Sequence, residues 1–352
     1  MKRLTLLGGG HSHVEVIRRF AMSPPRATYV LLVSPERYTV YSGMLPGFVA
    51  GHYDFRDCHI DLEGLCRTAH VEFRRARALD VDLVTRRVQC SDGMSVDYDV
   101  LSIDIGAAPE TASISGALEH ALPVKPLSEF VRAWQVIHDS ARRRKSPLSF
   151  AVVGAGAGGV ELALALQHRL CADYGGGAPR PVFHLLSDTA TILPDHSWRV
   201  QEKFKRILLE RNVAVHVESA VTQIDAGILR RQHGAPLAID RAVLATTSSA
   251  PRWLAASGLR TDARGFVLVN EALQSLSHPE VFAAGDVASM RGYALPKSGV
   301  YAVRQGPPLA TNLRHALVDE PLVIYSAQKT ALALISTGDR YAVAAWRGIA
   351  LE

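Results

Sequence analysis

Residues 150–161 read FAVVGAGAGGVE. Phe150, Ala151, Val152 and Val153 make a short apolar run of the kind that forms a buried strand. It leads directly into Gly154-x-Gly156-x-x-Gly159, and an Ala/Leu-rich helix is expected from Val160 to about Leu170. Strand, tight turn and helix in that order form the opening unit of an α/β dinucleotide-binding fold. Gly154 lets the turn close, Gly156 lets backbone N–H groups approach a pyrophosphate, and Gly159 lets helix and strand pack closely. The diphosphate then sits at the helix N-terminus. A bare GxGxxG is a weak signal in a chain with 27 glycines, so its weight comes from the two flanks.

At 352 residues the chain suits two domains of ordinary size. Its 48% hydrophobic and 21% charged residues describe a soluble globular protein. A net charge of +5 fits a protein that holds anionic cofactors, or one that rests on an anionic surface. The four cysteines, Cys58, Cys66, Cys90 and Cys171, show neither CxxC nor zinc-type spacing. That argues against a secreted disulfide framework and a structural metal, and makes the cytoplasm the expected location. Met1-Lys2-Arg3 imitates the start of a signal peptide, but the apolar run at 4–7 stops at Gly8-Gly9-Gly10. No segment is expected to span a membrane.

A second, imperfect phosphate turn opens the chain. Residues 4–7 read as a buried strand, Gly8-Gly9-Gly10-His11-Ser12-His13 follows, and Val14, Ile17 and Phe20 continue at helical spacing. His13 stands where the third glycine belongs, so either the packing is looser there or the ring points away. His11 and His13 lack a nearby carboxylate or cysteine, so backbone N–H donation is expected of this turn and metal ligation is not. The strand at 29–33 ends where an acidic residue usually holds ribose hydroxyls; Ser34 sits there, and Glu36 is the candidate two residues on.

Between these turns, 38–47 form an aromatic, Gly/Pro-punctuated loop leading into a short helix. Alternating runs from 71 to 100 around Asp92-Gly93 predict hairpins, and 98–106 predict a buried strand closing on Gly106. An amphipathic helix is expected over 127–141, with Arg142-Arg143-Arg144-Lys145 as its solvated basic end. After the strand at 182–186, Ser187-Asp188 occupies the ribose position of the second turn, where Asp188 would repel a 2′-phosphate and favours NADH over NADPH. A helix at 198–211 and strands at 213–217, 242–245 and 266–269 follow. The stretch from Val281 to Ala288 then precedes a helix broken by Pro307-Pro308, and strands at 322–325, 331–336 and 342–346 finish the chain.

Two dinucleotide turns and a late strand ending in Ala283-Ala284-Gly285-Asp286 resemble the two-dinucleotide-binding-domain flavoproteins, the pyridine nucleotide-disulfide oxidoreductase superfamily. The resemblance covers nearly the whole chain. It implies two Rossmann-like domains of glutathione-reductase type: 1–112 with 263–318 for FAD, 113–262 for NAD(P), and 319–352 as a C-terminal β segment. It also implies that Gly8, Gly10, His11 and Ser12 bind the FAD diphosphate, that Gly154, Gly156 and Gly159 bind the NAD(P)H diphosphate, and that Asp286 after Gly285 holds the FAD ribityl chain. Gly106 matches the family's crossing between domains. The phrases GGGHSHVEVIRRF, YSGMLPGFVAGHY, AVRQGPPLATNLRHAL and LALISTGDRYAVAAW resemble flavoproteins found fused to selenide, water dikinase and their stand-alone relatives. Type II NADH dehydrogenases are the next resemblance.

The departures narrow the chemistry. Dithiol members carry CxxxxC after the first βαβ unit, whereas residues 41–46 here hold no cysteine, which disfavours disulfide reduction. No flavin-facing cysteine of the sulfide–quinone reductase kind sits near Gly299 or Gln305. Val300 and Arg304 stand where type II NADH dehydrogenases have paired glutamines, which argues against quinone reduction. Those enzymes also continue into an amphipathic membrane anchor, while this sequence ends at Glu352, so a soluble protein is expected.

The resemblance implies an FAD-dependent NAD(P)H:acceptor oxidoreductase whose partner is a small-molecule electron acceptor, not a nucleic acid. Glu161 near the nicotinamide path, Lys297 as a charge for reduced flavin, and Tyr301 and Tyr41 in the acceptor pocket are its candidate residues. The rival reading is a regulatory FAD-binding protein with no turnover, linked to selenium metabolism.

Overall fold

The computed structural model describes residues 1–109, 113–144, 146–173, 180–246, 248–328, 331–346 and 349–351. Lys145 and Glu352 lie outside them. In chain order the principal elements are β1 (Lys2–Leu7), α1 (His11–Met22), β2 (Thr28–Ser34), α2 (Leu62–Thr68), β3 (Glu72–Arg75), β4 (Val100–Ile103) and α3 (Leu127–Ala141). Then come β5 (Ser149–Val153), α4 (Ala157–Asp173), β6 (Val182–Leu186), α5 (Trp198–Glu210), β7 (Val213–His216) and β8 (Arg241–Leu244). The chain closes with β9 (Val281–Ala283), α6 (Gly299–Leu317), β10 (Ala333–Ser336), β11 (Ala342–Trp346) and β12 (Ile349–Leu351). The residues divide into two compact units.

The first unit comprises Met1–Tyr41, His59–Ala108 and Ser249–Gln328. Its sheet runs β9-β4-β1-β2-β3 and every pairing is parallel. Leu4, Leu6 and Leu7 of central β1 are fully buried, as a strand covered on both faces requires. The carboxyl ends of β1, β4 and β9 carry Gly8, Asp104 and Gly285 to one edge of this sheet, the edge at which α/β folds bind their ligands. Of the expected hairpins, Ala78–Asp82, Arg87–Cys90 and Ser95–Asp97 form an antiparallel meander that turns at Gly93 with φ +80°. Glu72–Arg75 joins the parallel sheet instead, because its partner β2 is a long apolar strand with an open edge.

Two expectations fail here. The helix α6 is not broken at Pro307-Pro308 but runs through both prolines. Leu309, Ala310, Leu313 and Leu317 beyond them are buried. That burial contributes roughly 1.5–3 kcal/mol per large side chain, which offsets a proline cost of about 3 kcal/mol. Gly306 just before the prolines lets α6 press against α1, where a Cβ would meet the Glu15 side chain at 2.5 Å and the Ser12 carbonyl at 3.2 Å. Residues 322–325 form no strand: Val323 N–H donates to Asn312 Oδ1 (2.7 Å) and Tyr325 N–H to the Glu271 carbonyl (2.8 Å), so side-chain and loop partners replace a ladder.

The second unit comprises Ser42–Cys58, Pro109–Ser248 and Lys329–Glu352. Its parallel sheet places the strand Ala121–Pro123 at one edge, followed by β8, β5, β6 and β7. Phe150 and Phe183, paired in register across β5 and β6, stack with ring centroids 5.7 Å apart. The helix α4 begins at Ala157, earlier than the expected Val160, and continues to Asp173. The strands β10, β11 and β12 make a small antiparallel sheet whose buried face holds Ile335, Val343 and Ala345.

Candidate functional site

In the second unit, β5 delivers the chain to Gly154, whose φ of +106° suits glycine and whose N–H donates to the Leu186 carbonyl at 2.8 Å. A Cβ at Gly154 would lie 2.5 Å from the Ala245 carbonyl oxygen, and one at Gly159 would collide with the Gly154 carbonyl. At Gly156 and Gly158 a Cβ would meet nothing within 4 Å. Two glycines therefore close the turn and two leave its backbone bare at the start of a 17-residue helix. Bare backbone beside N-terminal helix amides is what a diphosphate needs, so these residues fit one. At the end of β6, Ser187 is buried, its N–H donating to the His216 carbonyl at 2.8 Å, and Asp188 is exposed.

The first turn is built differently. Gly8 has φ +90° and donates its N–H to the Val33 carbonyl (2.8 Å). His13 does not point away. Its ring is fully buried, with Nδ1 2.7 Å from the Gly8 carbonyl and Nε2 2.8 Å from Ser102 Oγ. A carbonyl only accepts, so Nδ1–H donates to Gly8 and Nε2 accepts the Ser102 hydroxyl. Burial pushes this imidazole down to about 4, and it stays neutral. The ring itself thus bridges α1, β1 and β4 where a glycine would have let the backbones meet.

Asp104, one residue past β4, lies at the centre of this turn. It is 2% exposed, and its Oδ2 accepts the His13 N–H at 3.0 Å, with the Ser12 backbone N–H adding another hydrogen bond. A Cβ at Gly10 would strike its carboxylate, as would one at Gly285. Burial pushes the Asp104 carboxyl up to about 7, and the charge of Asp286 acts in the same direction. The Gly10 N–H donates to the Asp104 carbonyl (3.1 Å), and Ser12 Oγ donates to the Ala302 carbonyl (2.7 Å).

Around this turn the structure gathers most of the residues expected there. Gly285 has φ +69° and donates its N–H to Gln305 Oε1 at 2.6 Å, and Asp286 follows in a 3₁₀ turn. His11 is held below its usual value by burial while Asp286 pulls it up, and its ring lies 5.3 Å from that of Tyr41. Asp286, Lys297, Tyr301 and Gln305 line one pocket with Ser289 and Tyr293. Tyr301 is buried, whereas Lys297 donates to the Ala288 carbonyl and stands 4.0 Å over the Phe266 ring. Ser34 is buried at the end of β2 and donates to the Glu36 carbonyl at 3.1 Å. Glu36 is half-buried beside it. Gly106 has φ +72° and open space on its Cβ side.

Glu161 lies in the second turn of α4, not the first, since the helix starts at Ala157. Its carboxyl accepts the Ser336 N–H at 2.8 Å, and burial pushes it up to about 7. None of the four cysteines forms a disulfide, and burial raises each thiol, Cys66 to about 12, so none is poised as a thiolate. Among the described residues no three His, Cys, Asp or Glu side chains gather as a metal site, and no helix is long and apolar enough to cross a membrane.

Asp104 and Gln305 were missed as site residues. A carboxylate inside the apolar run at 98–106 was the available signal for the first, and nothing local marked the second.

A parallel sheet with a glycine turn and helix in each unit defines an α/β protein of the two-dinucleotide-turn class. The chain belongs to the pyridine nucleotide-disulphide oxidoreductase family, which it matches over residues 2–310. It is 25% identical to the alternative NAD(P)H-ubiquinone oxidoreductase C1, chloroplastic/mitochondrial, of Arabidopsis thaliana, over 93% of this chain and 69% of that protein. It is 22% identical to the type II NADH:quinone oxidoreductase of Staphylococcus epidermidis, over 91% of this chain and 83% of that one. Its fold is similar to that of NDH2 from Plasmodium falciparum, solved in complex with NADH, with a TM-score of 0.81 at 15% identity over 99% and 91% of the two chains.

Proposed function

We propose that this protein oxidises NAD(P)H through FAD and passes the electrons to a small-molecule acceptor, without a redox-active disulfide. The observation that carries the reading is the glycine turn in each unit, each set between a buried parallel strand and a helix of twelve or more residues. FAD, when bound, supplies the ring system that accepts hydride and releases electrons singly or in pairs.

The chain's own residues bind and orient. Gly154, Gly156 and Gly159 present the α4 amides to the nicotinamide dinucleotide, and exposed Asp188 takes the ribose hydroxyls and repels a 2′-phosphate, favouring NADH. Gly8, Gly10, His11 and Ser12 face the flavin diphosphate, Ser34 and Glu36 its adenosine ribose, and Gly285 and Asp286 its ribityl chain, while Gly106 marks the crossing. In this reading 1–112 with 263–318 hold FAD, 113–262 hold the nicotinamide dinucleotide, and 319–352 are the C-terminal β segment. Lys297 brings positive charge to the pocket wall, Tyr301 closes that wall, and the Glu161 carboxyl, raised by burial to about 7, exchanges its proton near neutrality. The names of the relatives support NAD(P)H as donor and suggest a quinone-like acceptor, against which Val300 and Arg304 still stand. A link to selenide, water dikinase rests on the quoted sequence phrases alone.

The test is an anaerobic spectrum of the purified protein before and after stoichiometric NADH and then NADPH, followed by a panel of acceptors. Rapid bleaching of a flavin band, faster with NADH, is expected. A flavin that stays oxidised with both donors overturns the enzymatic reading in favour of a regulatory flavoprotein.

A further inference from the structure

The turn read as the seat of the FAD diphosphate already holds a negative group. Asp104 is fully enclosed, its Oδ2 caps the His13 amide of α1, and its carboxyl presses against the α-carbons of both Gly10 and Gly285. In the second turn Gly156, which stands where Gly10 does in the first, looks onto open space. A helix N-terminus stabilises one anion readily, but a second brought close to it meets the first in a medium of low dielectric. Asp286 is a further negative neighbour, contributed by the turn after β9. The compensating groups are few. His13 of α1 is locked as neutral imidazole between Gly8 and Ser102, and His11 of α1 is also biased to the neutral form. The packed faces of β1 and α6 bring Gly8, Ala302 and Gln305, none of them ionisable.

We propose that Asp104 sets the affinity of this turn for its dinucleotide, which binds only while Asp104 is protonated, so that each FAD bound takes one proton from solvent. The inference rests on the reading of the first turn as the FAD site. As the neutral acid, Asp104 still accepts the His13 amide on one oxygen and offers its O–H on the other. The helix dipole is then left to the phosphates. No other atom needs to move: the carboxylate gains H⁺, and the bound diphosphate stays ionised. Because the carboxyl titrates near neutrality, the coupling falls where it is easily measured.

The experiment uses the full chain stripped of flavin and titrated with FAD by calorimetry from pH 6 to 8, in two buffers of different ionisation enthalpy. The wild type is expected to take up close to one proton per FAD at pH 8 and almost none at pH 6. Its Kd should rise about tenfold over that interval, as linkage to a single proton requires. In Asp104→Asn, uptake should vanish and the pH 8 Kd should fall to the wild-type pH 6 value. If that variant does not fold, His11→Asn decides the source: unchanged uptake supports Asp104, and lost uptake assigns the proton to His11 and overturns the proposal. Tight FAD binding by the wild type without proton uptake at pH 8 overturns it as well, leaving the FAD reading intact. Failure to bind FAD at any pH overturns both.

Discussion

Replacing Glu161 with Gln should make the protein more stable at alkaline pH while leaving its acid stability unchanged. The Glu161 carboxyl projects from α4 at a half-buried position and accepts the Ser336 amide, an interaction that the isosteric amide oxygen of Gln retains. Burial raises the carboxyl from 4.5 to about 7 in the folded state. Below 4.5 it is protonated folded and unfolded alike and costs nothing. Between 4.5 and 7 the unfolded chain releases the proton while the folded chain keeps it, so stability falls as pH rises, and the loss is complete above 7. At about 1.36 kcal/mol per pH unit, the full loss is about 3 kcal/mol. Asp104 contributes a slope of the same sign, but it is present in both proteins and cancels in the difference. Urea unfolding at pH 4.5, 6, 7 and 8, read by far-ultraviolet circular dichroism, measures the gap. The curves should coincide at pH 4.5 and separate to 2–3 kcal/mol in favour of Gln by pH 8, about the size of the linkage term, at constant m. Profiles that stay parallel would refute the assignment of a buried, proton-holding carboxyl to this site.

The two kinds of glycine in the second turn should separate cleanly. Gly159→Ala forces a Cβ into the Gly154 carbonyl and should cost about 1–3 kcal/mol in thermal or urea unfolding. Gly156→Ala meets open space and should leave stability within about 1 kcal/mol, while weakening NAD(P)H in a binding titration. His13→Ala removes the buried ring that partners both groups, stranding the Ser102 hydroxyl and the Gly8 carbonyl, and should lower unfolding stability by about 2–4 kcal/mol. Asp188→Ala should shift the NADPH-to-NADH preference by about tenfold toward NADPH, a change of roughly 1.4 kcal/mol, read in the rate of flavin bleaching. An unchanged preference would remove Asp188 from the ribose site.

Local pattern carried a large part of this protein. The run FAVV leading into Gly154 reads as a covered strand, and Gly154 and Gly159 can only be glycine where the observed turn presses their Cβ positions onto carbonyls. The helix Leu127–Ala141 was legible for the same reason, since an apolar stripe at helical spacing is a property of neighbours in sequence. Other features depend on what packs from far along the chain. Pro307-Pro308 reads as a break, yet α6 continues because α1, some 290 residues earlier, gives its apolar face a surface to cover. His13 reads as a misfit in a glycine turn until Ser102 of β4 comes to its second nitrogen. Asp104 is the clearest case. In sequence it is one of two acids in the stretch 98–106, and only the gathering of β1, β4 and β9 places it against Gly10, His13 and Gly285. Sequence alone determined the strands, turns and helices whose signals are periodic and local. The tertiary structure decided which buried polar groups meet, because the desolvation of a carboxylate or imidazole depends on every chain segment that excludes water from it.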